Sequence, residues 1–195
     1  MARAAGFLVI AFCIFAAARC LPAQESVVTL DPAATKVEFT LGATLHTVHG
    51  TFKLKSGQIR FDPSTGKASG SIVVDATSAN TDNSGRDSKM HKEILESAKF
   101  PDIVFTPNQV KGSIAPTGTS QVEVSGTMRL HGADHDMTLS MSVEPEAEGQ
   151  LKAETNFPVP YVKWGLKNPS NFFLRVSDTV NVEVHAAGRI APAAH

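Results

Sequence analysis

The chain is poor in cysteine, and this scarcity excludes several kinds of chemistry. Its two cysteines, Cys13 and Cys20, both lie close to the start of a sequence of 195 residues. A polypeptide that begins after Ala23 therefore has no disulfide, no thiolate nucleophile and no cysteine-ligated metal. We expect its stability to come from core burial and hydrogen bonding alone.

An excess of charge is also missing. The chain carries 18 Lys and Arg residues against 19 Asp and Glu residues, which gives a formal net charge of −1 at pH 7. Its basic residues form no stripe of the kind that binds nucleic acid. Instead they usually have acidic neighbours, which is typical of a mixed, solvated surface. We therefore expect no nucleic-acid partner.

The usual motifs of catalysis and of metal binding are absent as well. No glycine-rich phosphate loop occurs, and no serine sits in a Gly-x-Ser-x-Gly elbow. His46 and His49 fall on opposite faces of a regular strand, and His131 and His135 flank a turn in which aspartates are natural. We expect no enzyme, no cofactor and no metal, and we keep a hydrolase as the lesser alternative.

The first residues differ in composition from the rest. Arg3 is followed by an unbroken apolar run over residues 4–18 and then by Arg19-Cys20-Leu21-Pro22-Ala23, where a small residue precedes a polar stretch. This pattern predicts a secretory signal peptide over residues 1–23, too short for a comfortable transmembrane helix. Cys20 follows Arg19 rather than a small residue, which argues against a lipoprotein. We expect the mature protein to be exported and not to span a membrane.

Beyond residue 24, alternating apolar and polar residues predominate. Their period of two predicts eight or nine half-buried strands within a domain spanning 24–190, followed by a disordered tail, 191–195. We expect a bulge or bend near Gly57 and a hairpin turn over residues 132–136. Without strand–helix alternation the sheet should be antiparallel. Residues 87–98 instead show helical spacing, which predicts an amphipathic helix of about three turns. We expect Asp87 or Ser84 to cap it.

Eight twisted strands with one apolar face have to close into a barrel or fold into a sandwich. The fold class predicted is all-β: an eight-stranded antiparallel barrel with one short amphipathic α-helix over its end or side. A barrel of this size can be filled by side chains or can hold one small ligand. The alternation pattern alone leaves these two possibilities open.

The order of several short motifs resembles that of the YceI-like family of polyisoprenoid-binding proteins. The resemblance covers about residues 27–186. It departs from the family's Arg-Asp-x-His-Leu helix motif at residues 86–91, and from its loop at the proline-rich segment 157–173. The motifs that carry it are Leu30-Asp31-Pro32, Val37-Glu38-Phe39, Val48-His49-Gly50-Thr51-Phe52, Gly57-Gln58-Ile59-Arg60-Phe61-Asp62-Pro63, Gly85-Arg86-Asp87, Phe100-Pro101-Asp102-Ile103-Val104-Phe105, Val124-Ser125-Gly126-Thr127-Met128-Arg129-Leu130-His131-Gly132, Trp164-Gly165-Leu166 and Val176-Ser177-Asp178-Thr179-Val180.

This resemblance implies a lipocalin-like barrel in the bacterial periplasm that binds, stores or transports a polyisoprenoid or fatty-chain lipid without altering it. Met90, Leu95 and Trp164 are candidate gate residues, although Trp164 is explained equally well as an ordinary core aromatic. Arg86 could pair with an anionic head group at the mouth, and we leave this open. The candidate wall, inferred from the alternation, consists of Phe39, Leu41, Phe52, Phe61, Ile72, Val74, Phe105, Val124, Met128, Leu130, Met137, Leu139 and Phe157.

An alternative interpretation of the function also remains. If side chains fill the barrel, the protein is better explained as a module that binds a protein partner. The sequence does not decide between a monomer and a homodimer.

Overall fold

The computed structural model describes residues 25–44 and 46–193. The predicted signal peptide and Cys20 lie outside these residues. The described part of the chain contains nine strands: β1 (Ser26–Leu30), β2 (Lys36–Gly42), β3 (Thr47–Phe61), β4 (Ala68–Asn80), β5 (Asp102–Lys111), β6 (Ser120–Leu130), β7 (Ala133–Pro145), β8 (Gln150–Val159) and β9 (Val180–Pro192).

The nine strands form one closed antiparallel barrel with eight positions. Strands β3 to β9 pair in sequence order, and β2 closes the ring because it pairs with both β3 and β9. The short β1 lies in line with β2, between the far portions of the same two neighbours. The predicted fold, an eight-stranded antiparallel barrel with one short helix, is confirmed.

The connections divide the molecule into two ends, which we call the helix end and the hairpin end. The helix end consists of the segments 81–101, 131–132 and 160–179, and the hairpin end consists of the turns 62–67, 112–119 and 146–149. The last of these turns contains a short 3₁₀ segment, Ala147–Gly149. The helix end therefore holds both of the long connections between strands.

Strand β6 shows how alternation in sequence becomes a barrel wall. Val122, Val124, Met128 and Leu130 are buried, whereas Glu123 and Arg129 between them are exposed. Successive side chains of a strand point to opposite faces, so one face of β6 packs into the interior and the other meets water. This arrangement follows directly from the period of two in the sequence.

Strand β3 keeps its apolar side chains inside only because its pairing with β4 is irregular. The register shifts between Leu54 and Ser56, as expected for an extra residue in one strand. Phe52 before the shift and Ile59 beyond it therefore both line the interior, although their numbers differ in parity. The sequence predicted such an irregularity near Gly57.

The helix differs from its prediction in position and form. The α-helix α1 covers Ser84–Lys89 and continues as a π-helical turn, Met90–Ile94, in which the Leu95 N–H donates to the Met90 carbonyl. The predicted span, 87–98, is therefore too late and too long. Glu96 adopts φ 46°, a left-handed conformation that ends the helical segment.

The predicted cap is also wrong, because Asn83 occupies that position. Its Oδ1 accepts a hydrogen bond from the Arg86 N–H at 2.9 Å. Asp87 lies inside the helix and instead accepts from the backbone N–H of Thr81 at 3.0 Å. Asn is as good an N-cap as Asp or Ser, so residue preference alone did not distinguish the three candidates.

Two connections also differ from expectation. The turn between β6 and β7 is a tight two-residue turn at His131 and Gly132, with φ 53° and 80°, rather than a loop from 132 to 136. Positive φ at both central residues is the pattern of a type I′ hairpin. At the other end of the chain, Ala191 and Pro192 pair with β1, so β9 extends into the segment predicted as a disordered tail.

Candidate ligand-binding cavity

A cavity of about 660 Å³ runs through the barrel. Residues from every strand line it, and so do residues of the helix end such as Met90 and Leu174. Its volume lies within the range of about 300–1,000 Å³ that is usual for small-molecule sites. Interiors normally pack without voids of this size, so the side chains of this barrel leave space for a ligand.

Most residues that the sequence assigned to the site lie on the cavity. Met137 and Trp164 do not line it, whereas the others do: Phe39, Leu41, Phe52, Phe61, Ile72, Val74, Arg86, Met90, Leu95, Phe105, Val124, Met128, Leu130, Leu139 and Phe157. This places them on one surface. Their role in binding stays a prediction.

The two exceptions pack beside the cavity. Met137 contacts the buried core from its edge. Trp164 stacks on the His135 imidazole, with ring centroids 4.2 Å apart and planes 2° apart. Trp164 is therefore a packing residue of the helix end and not, in this conformation, a lid over the interior.

Several residues that sequence reasoning left out complete the wall. Leu30 and Ile59 extend it to the hairpin end, and Met141, Val143 and Leu151 continue it along β7 and β8. The alternation was visible in each of these strands. The candidate list took only some of the inward positions, whereas a closed barrel turns every inward position to the same interior.

Polar side chains on the cavity are concentrated at the helix end. His46, Thr81, Arg86, Lys89 and Asn171 line it there. Thr35 and Thr155, farther along the wall, hydrogen-bond backbone carbonyls of Ala187 and Ser140. Glu154 also touches the cavity, but it is exposed and its carboxylate contacts His185. The cavity therefore has one polar end and otherwise apolar walls.

Arg86 is held at this polar end by its neighbours. Its Nε donates to the Thr81 hydroxyl at 2.7 Å, and its Nη2 donates to the Thr81 carbonyl at 2.8 Å. Among the described residues, no carboxylate forms an ion pair with this half-buried guanidinium. The arrangement fixes the cation at the cavity while leaving its charge available to an anion.

The π-helical turn beside Arg86 is tied to β4. The His91 Nε2 lies 2.9 Å from the Ala79 carbonyl oxygen, so this nitrogen is the donor, and Nδ1 accepts from the Ser97 hydroxyl at 3.0 Å. Met90 and Ile94 of the same turn reach the cavity. Their positions therefore depend on a satisfied hydrogen-bond network and not on apolar contact alone.

Tyr161 forms part of the opposite side of the helix end. Its ring is 6% exposed, and its hydroxyl donates to the Ser177 carbonyl at 2.8 Å. Burial, helped by the nearby Asp178 carboxylate, raises the pKa of Tyr161 to about 12. The hydroxyl is thus neutral at ordinary pH, and its proton is engaged in anchoring the segment 160–179.

In residues 25–44 and 46–193, no group of three or more His, Cys, Asp or Glu side chains could hold a metal ion. Across the same part of the chain, no helix is long and apolar enough to cross a membrane.

Comparison with solved structures shows that this fold is known. The structure of a polyisoprenoid-binding domain from Saccharophagus degradans superposes with a TM-score of 0.67, covering 88% of this chain and 100% of that one at 18% identity. At this level of identity the likeness concerns the fold.

Curated relatives resemble the chain in sequence. The UPF0312 protein of Pseudomonas savastanoi pv. phaseolicola is 29% identical over 103 residues, 52% of each chain. Protein YceI of Salmonella arizonae is 29% identical over 122 residues, 54% of this chain and 60% of that one. The chain spans about half the length of the curated relatives it matches.

A family model matches most of the chain. The YceI-like domain model matches residues 28–187, which include all nine strands except the first residues of β1 and the last of β9. The region matched is the whole closed barrel around the cavity. On this basis the chain belongs to the family of YceI-like domain proteins.

Proposed function

We propose that the protein binds one long-chain lipid, a polyisoprenoid or a fatty chain, inside the barrel and does not alter it chemically. The observation that carries this proposal is the elongated apolar cavity of about 660 Å³. A flexible apolar chain fits walls made largely of Val, Leu, Ile, Met and Phe. The binding of polyisoprenoid by the Saccharophagus degradans domain supports the same ligand class.

Removal of the chain from water would drive binding. Each buried methylene contributes about 0.8 kcal/mol, so ten of them contribute about 8 kcal/mol. Before the entropic costs of association are subtracted, this corresponds to a dissociation constant of about 1 μM. The apolar wall can therefore supply most of the affinity without any specific polar contact.

The head group would lie at the helix end. Arg86 and Lys89 line the cavity there, and neither forms an ion pair within the described residues. An anionic head group, such as a carboxylate or a phosphate, would find charge-assisted hydrogen-bond donors at this position. The tail would then extend toward Ile59 and Leu151 at the hairpin end.

Two observations disfavour the alternatives. A barrel that serves only as a protein-binding module would be filled by side chains, but this one contains a cavity. A hydrolase would need a free nucleophile beside a base, whereas the hydroxyls of Thr35, Thr155 and Tyr161 on the cavity donate to backbone carbonyls. The Thr81 hydroxyl donates to the Asp87 carboxylate, but it also accepts from the Arg86 Nε and is therefore held within a fixed network. The chemistry available at the wall is that of binding.

Storage or shuttling of the lipid in the periplasm is part of the proposal. It is supported by the signal-peptide pattern of residues 1–23. It also agrees with an apolar ligand that needs a protein shell to stay dispersed in water.

The test is extraction of lipid under denaturing conditions, followed by mass spectrometry, on protein purified from a host that makes isoprenoid quinones. A stoichiometric long-chain species would support the proposal and name the ligand class. Protein that is empty, and that takes up no added isoprenoid or fatty acid, would refute it and favour the protein-binding alternative.

A further inference from the structure

The largest exposed apolar feature of the described chain is a pair of adjacent aromatic side chains. Phe172 is 93% exposed and Phe173 is 86% exposed. Their rings contact each other edge to face, with centroids 5.2 Å apart. Single exposed apolar residues are ordinary, but two large aromatic side chains held together in water suggest an interaction site. We call these two residues the aromatic tip.

The turn that carries the aromatic tip is firmly closed. The Asn171 Oδ1 accepts from the N–H groups of Phe173 at 2.9 Å and Leu174 at 2.8 Å, and the Asn171 N–H donates to the Leu174 carbonyl at 2.9 Å. A second set of bonds joins Arg175 to Thr44 beside β2. The two rings are therefore held outward by the backbone.

The aromatic tip lies at the rim of the cavity. Asn171 precedes the tip and Leu174 follows it, and both line the interior. The tip thus belongs to the helix end, where Arg86 and Lys89 also lie. Whatever surface the two phenylalanines contact would face the mouth of the barrel.

The charge around the aromatic tip indicates the chemistry of that surface. The segment 160–179 contains Lys163, Lys167 and Arg175 against the single acidic residue Asp178. All three cations are exposed, and none forms an ion pair among the described residues. Cations around an apolar anchor suit an anionic lipid surface. They would repel the same segment of a second copy of this chain.

We propose that the aromatic tip inserts into the interfacial region of an anionic phospholipid bilayer and so places the mouth of the barrel against the membrane. The phenylalanine rings would replace water contact with contact to acyl chains, and the neighbouring cations would remain at the level of the phosphates. A lipid could then move between bilayer and cavity without crossing water. This role for docking in lipid transfer rests on the proposed function, but docking of the protein on the bilayer requires no ligand in the cavity.

The test is flotation of the full chain with vesicles of phosphatidylglycerol and phosphatidylethanolamine, compared with vesicles of phosphatidylcholine. We expect association with the anionic vesicles that weakens with added salt. The double variant Phe172→Ser/Phe173→Ser should reduce this partitioning by about tenfold or more. Since both side chains are almost fully exposed, the variant should fold and keep its lipid content.

Two matched charge variants distinguish vesicle binding through the helix end from nonspecific electrostatic attraction of the whole protein. Lys163→Gln/Lys167→Gln should weaken association with anionic vesicles by about fivefold per charge. Lys67→Gln/Lys111→Gln removes two exposed lysines at the hairpin end, neither of which forms an ion pair within residues 25–44 and 46–193, and should have little effect. Equal effects of the two pairs would overturn the proposal.

Three further outcomes distinguish docking from the proposed function. Wild-type protein that retains lipid but does not bind vesicles would refute docking and leave the proposed function intact. Concentration-dependent self-association that disappears in the Phe172→Ser/Phe173→Ser variant, without vesicle binding, would assign the aromatic tip to a dimer interface. Vesicle binding by a protein that neither holds nor takes up lipid would support docking and refute the proposed function.

Discussion

The two ends of the barrel are built on the same strands but use polar groups in opposite ways. At the hairpin end, the Asp62 carboxylate accepts hydrogen bonds from Ser64 and Thr65 within its own turn. At the helix end, Arg86 and Lys89 face the cavity without a carboxylate partner among the described residues. The first arrangement stabilises a turn, whereas the second leaves charge available for a ligand.

The difference agrees with a general division of labour in barrels. Short turns satisfy their own backbone and side chains, and long connections carry recognition on a rigid scaffold. Here the segments 81–101 and 160–179 supply the cations, the aromatic tip and the rim of the cavity. If this interpretation is right, matched changes at the two ends should have different consequences.

The largest expected effect comes from blocking the cavity on the side of the helix end. Met128 lies two residues from the end of β6 and is 8% exposed. Met128→Trp would fill the throat and should abolish lipid retention, while overpacking lowers the free energy of unfolding by about 1–3 kcal/mol. Mass spectrometry of extracted lipid, with a thermal melt to confirm folding, measures both quantities.

Two tryptophan controls sharpen this prediction. Leu151→Trp, at the hairpin end, should shorten the accepted chain without preventing entry, because it fills the opposite part of the cavity. Glu123→Trp, on the outer face of β6, should change nothing. A folded Met128→Trp variant with its full lipid content would remove Met128 from the wall.

A smaller effect is expected from the cation at the mouth. Arg86→Gln should weaken oleate binding by about tenfold, since a hydrogen bond to a charged group contributes about 1.5–3 kcal/mol. Binding of oleyl alcohol, which has the same chain and no charge, should be unchanged. Titration calorimetry or displacement of a fluorescent fatty acid gives both constants.

The control for Arg86 is an arginine at the other end. Arg60→Gln removes an exposed cation that pairs with Glu25 beside the hairpin end, and it should leave both lipids bound as before. Arg86→Lys should restore part of the oleate affinity because it keeps the charge. Equal loss of oleate and oleyl alcohol in Arg86→Gln would mean that Arg86 shapes the helix end and does not recognise a head group.

Substitutions at two glycines, one at each end of the barrel, compare how tightly the helix end and the hairpin end are packed. Gly132 and Gly118 both have positive φ, 80° and 76°, so alanine at either costs about 1–2 kcal/mol of backbone strain. A methyl group at Gly132 would also lie 2.7 Å from Cε1 of Phe100, whereas no atom lies within 4 Å at Gly118. We expect Gly132→Ala to lower the melting temperature by about 4 °C more than Gly118→Ala. Equal melting temperatures would show that Phe100 moves aside freely.

The smallest effects should appear in the dependence of stability on pH. Hydrogen bonds from Ser64 and Thr65 lower the pKa of Asp62 from 3.8 to about 2. The folded state therefore binds fewer protons than the unfolded chain between these values, and stability falls as pH drops from about 4 to about 2. Asp62→Asn should remove this part of the acid dependence in denaturant titrations.

Tyr161 should report on the helix end at high pH. Its pKa rises from 10.0 to about 12 on burial. The folded state then keeps a proton that the unfolded chain loses, so stability falls as pH rises from about 10 to about 12. Tyr161→Phe should flatten this alkaline loss and leave the acid dependence unchanged. An unchanged alkaline profile would show that the hydroxyl becomes accessible before it titrates.

The barrel and most of its wall followed from the sequence because both depend on a local pattern. The alternation in β6 predicted which of its residues are buried without any information about the partner strands. Val124 and Met128 line the cavity as predicted. The irregularity in β3 was anticipated from Gly57, although it lies a little earlier. A period of two is a property of the strand itself, so neighbours do not alter it.

The structure of the helix end could not be predicted from local sequence patterns, because its geometry depends on contacts between distant segments. The spacing of apolar residues in 87–98 suggested three regular turns, but bonds from His91 to Ala79 and Ser97 accompany a π-helical turn instead. Likewise, Trp164 was open as lid or core until its stacking on His135 was known. Neither contact leaves a signal in local sequence.

The sequence by itself therefore determined the all-β architecture, the antiparallel order of strands and the apolar character of the interior. The tertiary structure alone decided that the interior is a cavity rather than a filled core, and that its polar lining gathers with the aromatic tip at one end. The physical reason is that burial follows the local period of a strand. Empty volume, and the presence of Arg86 and Leu174 on one cavity, arise only when the ring closes.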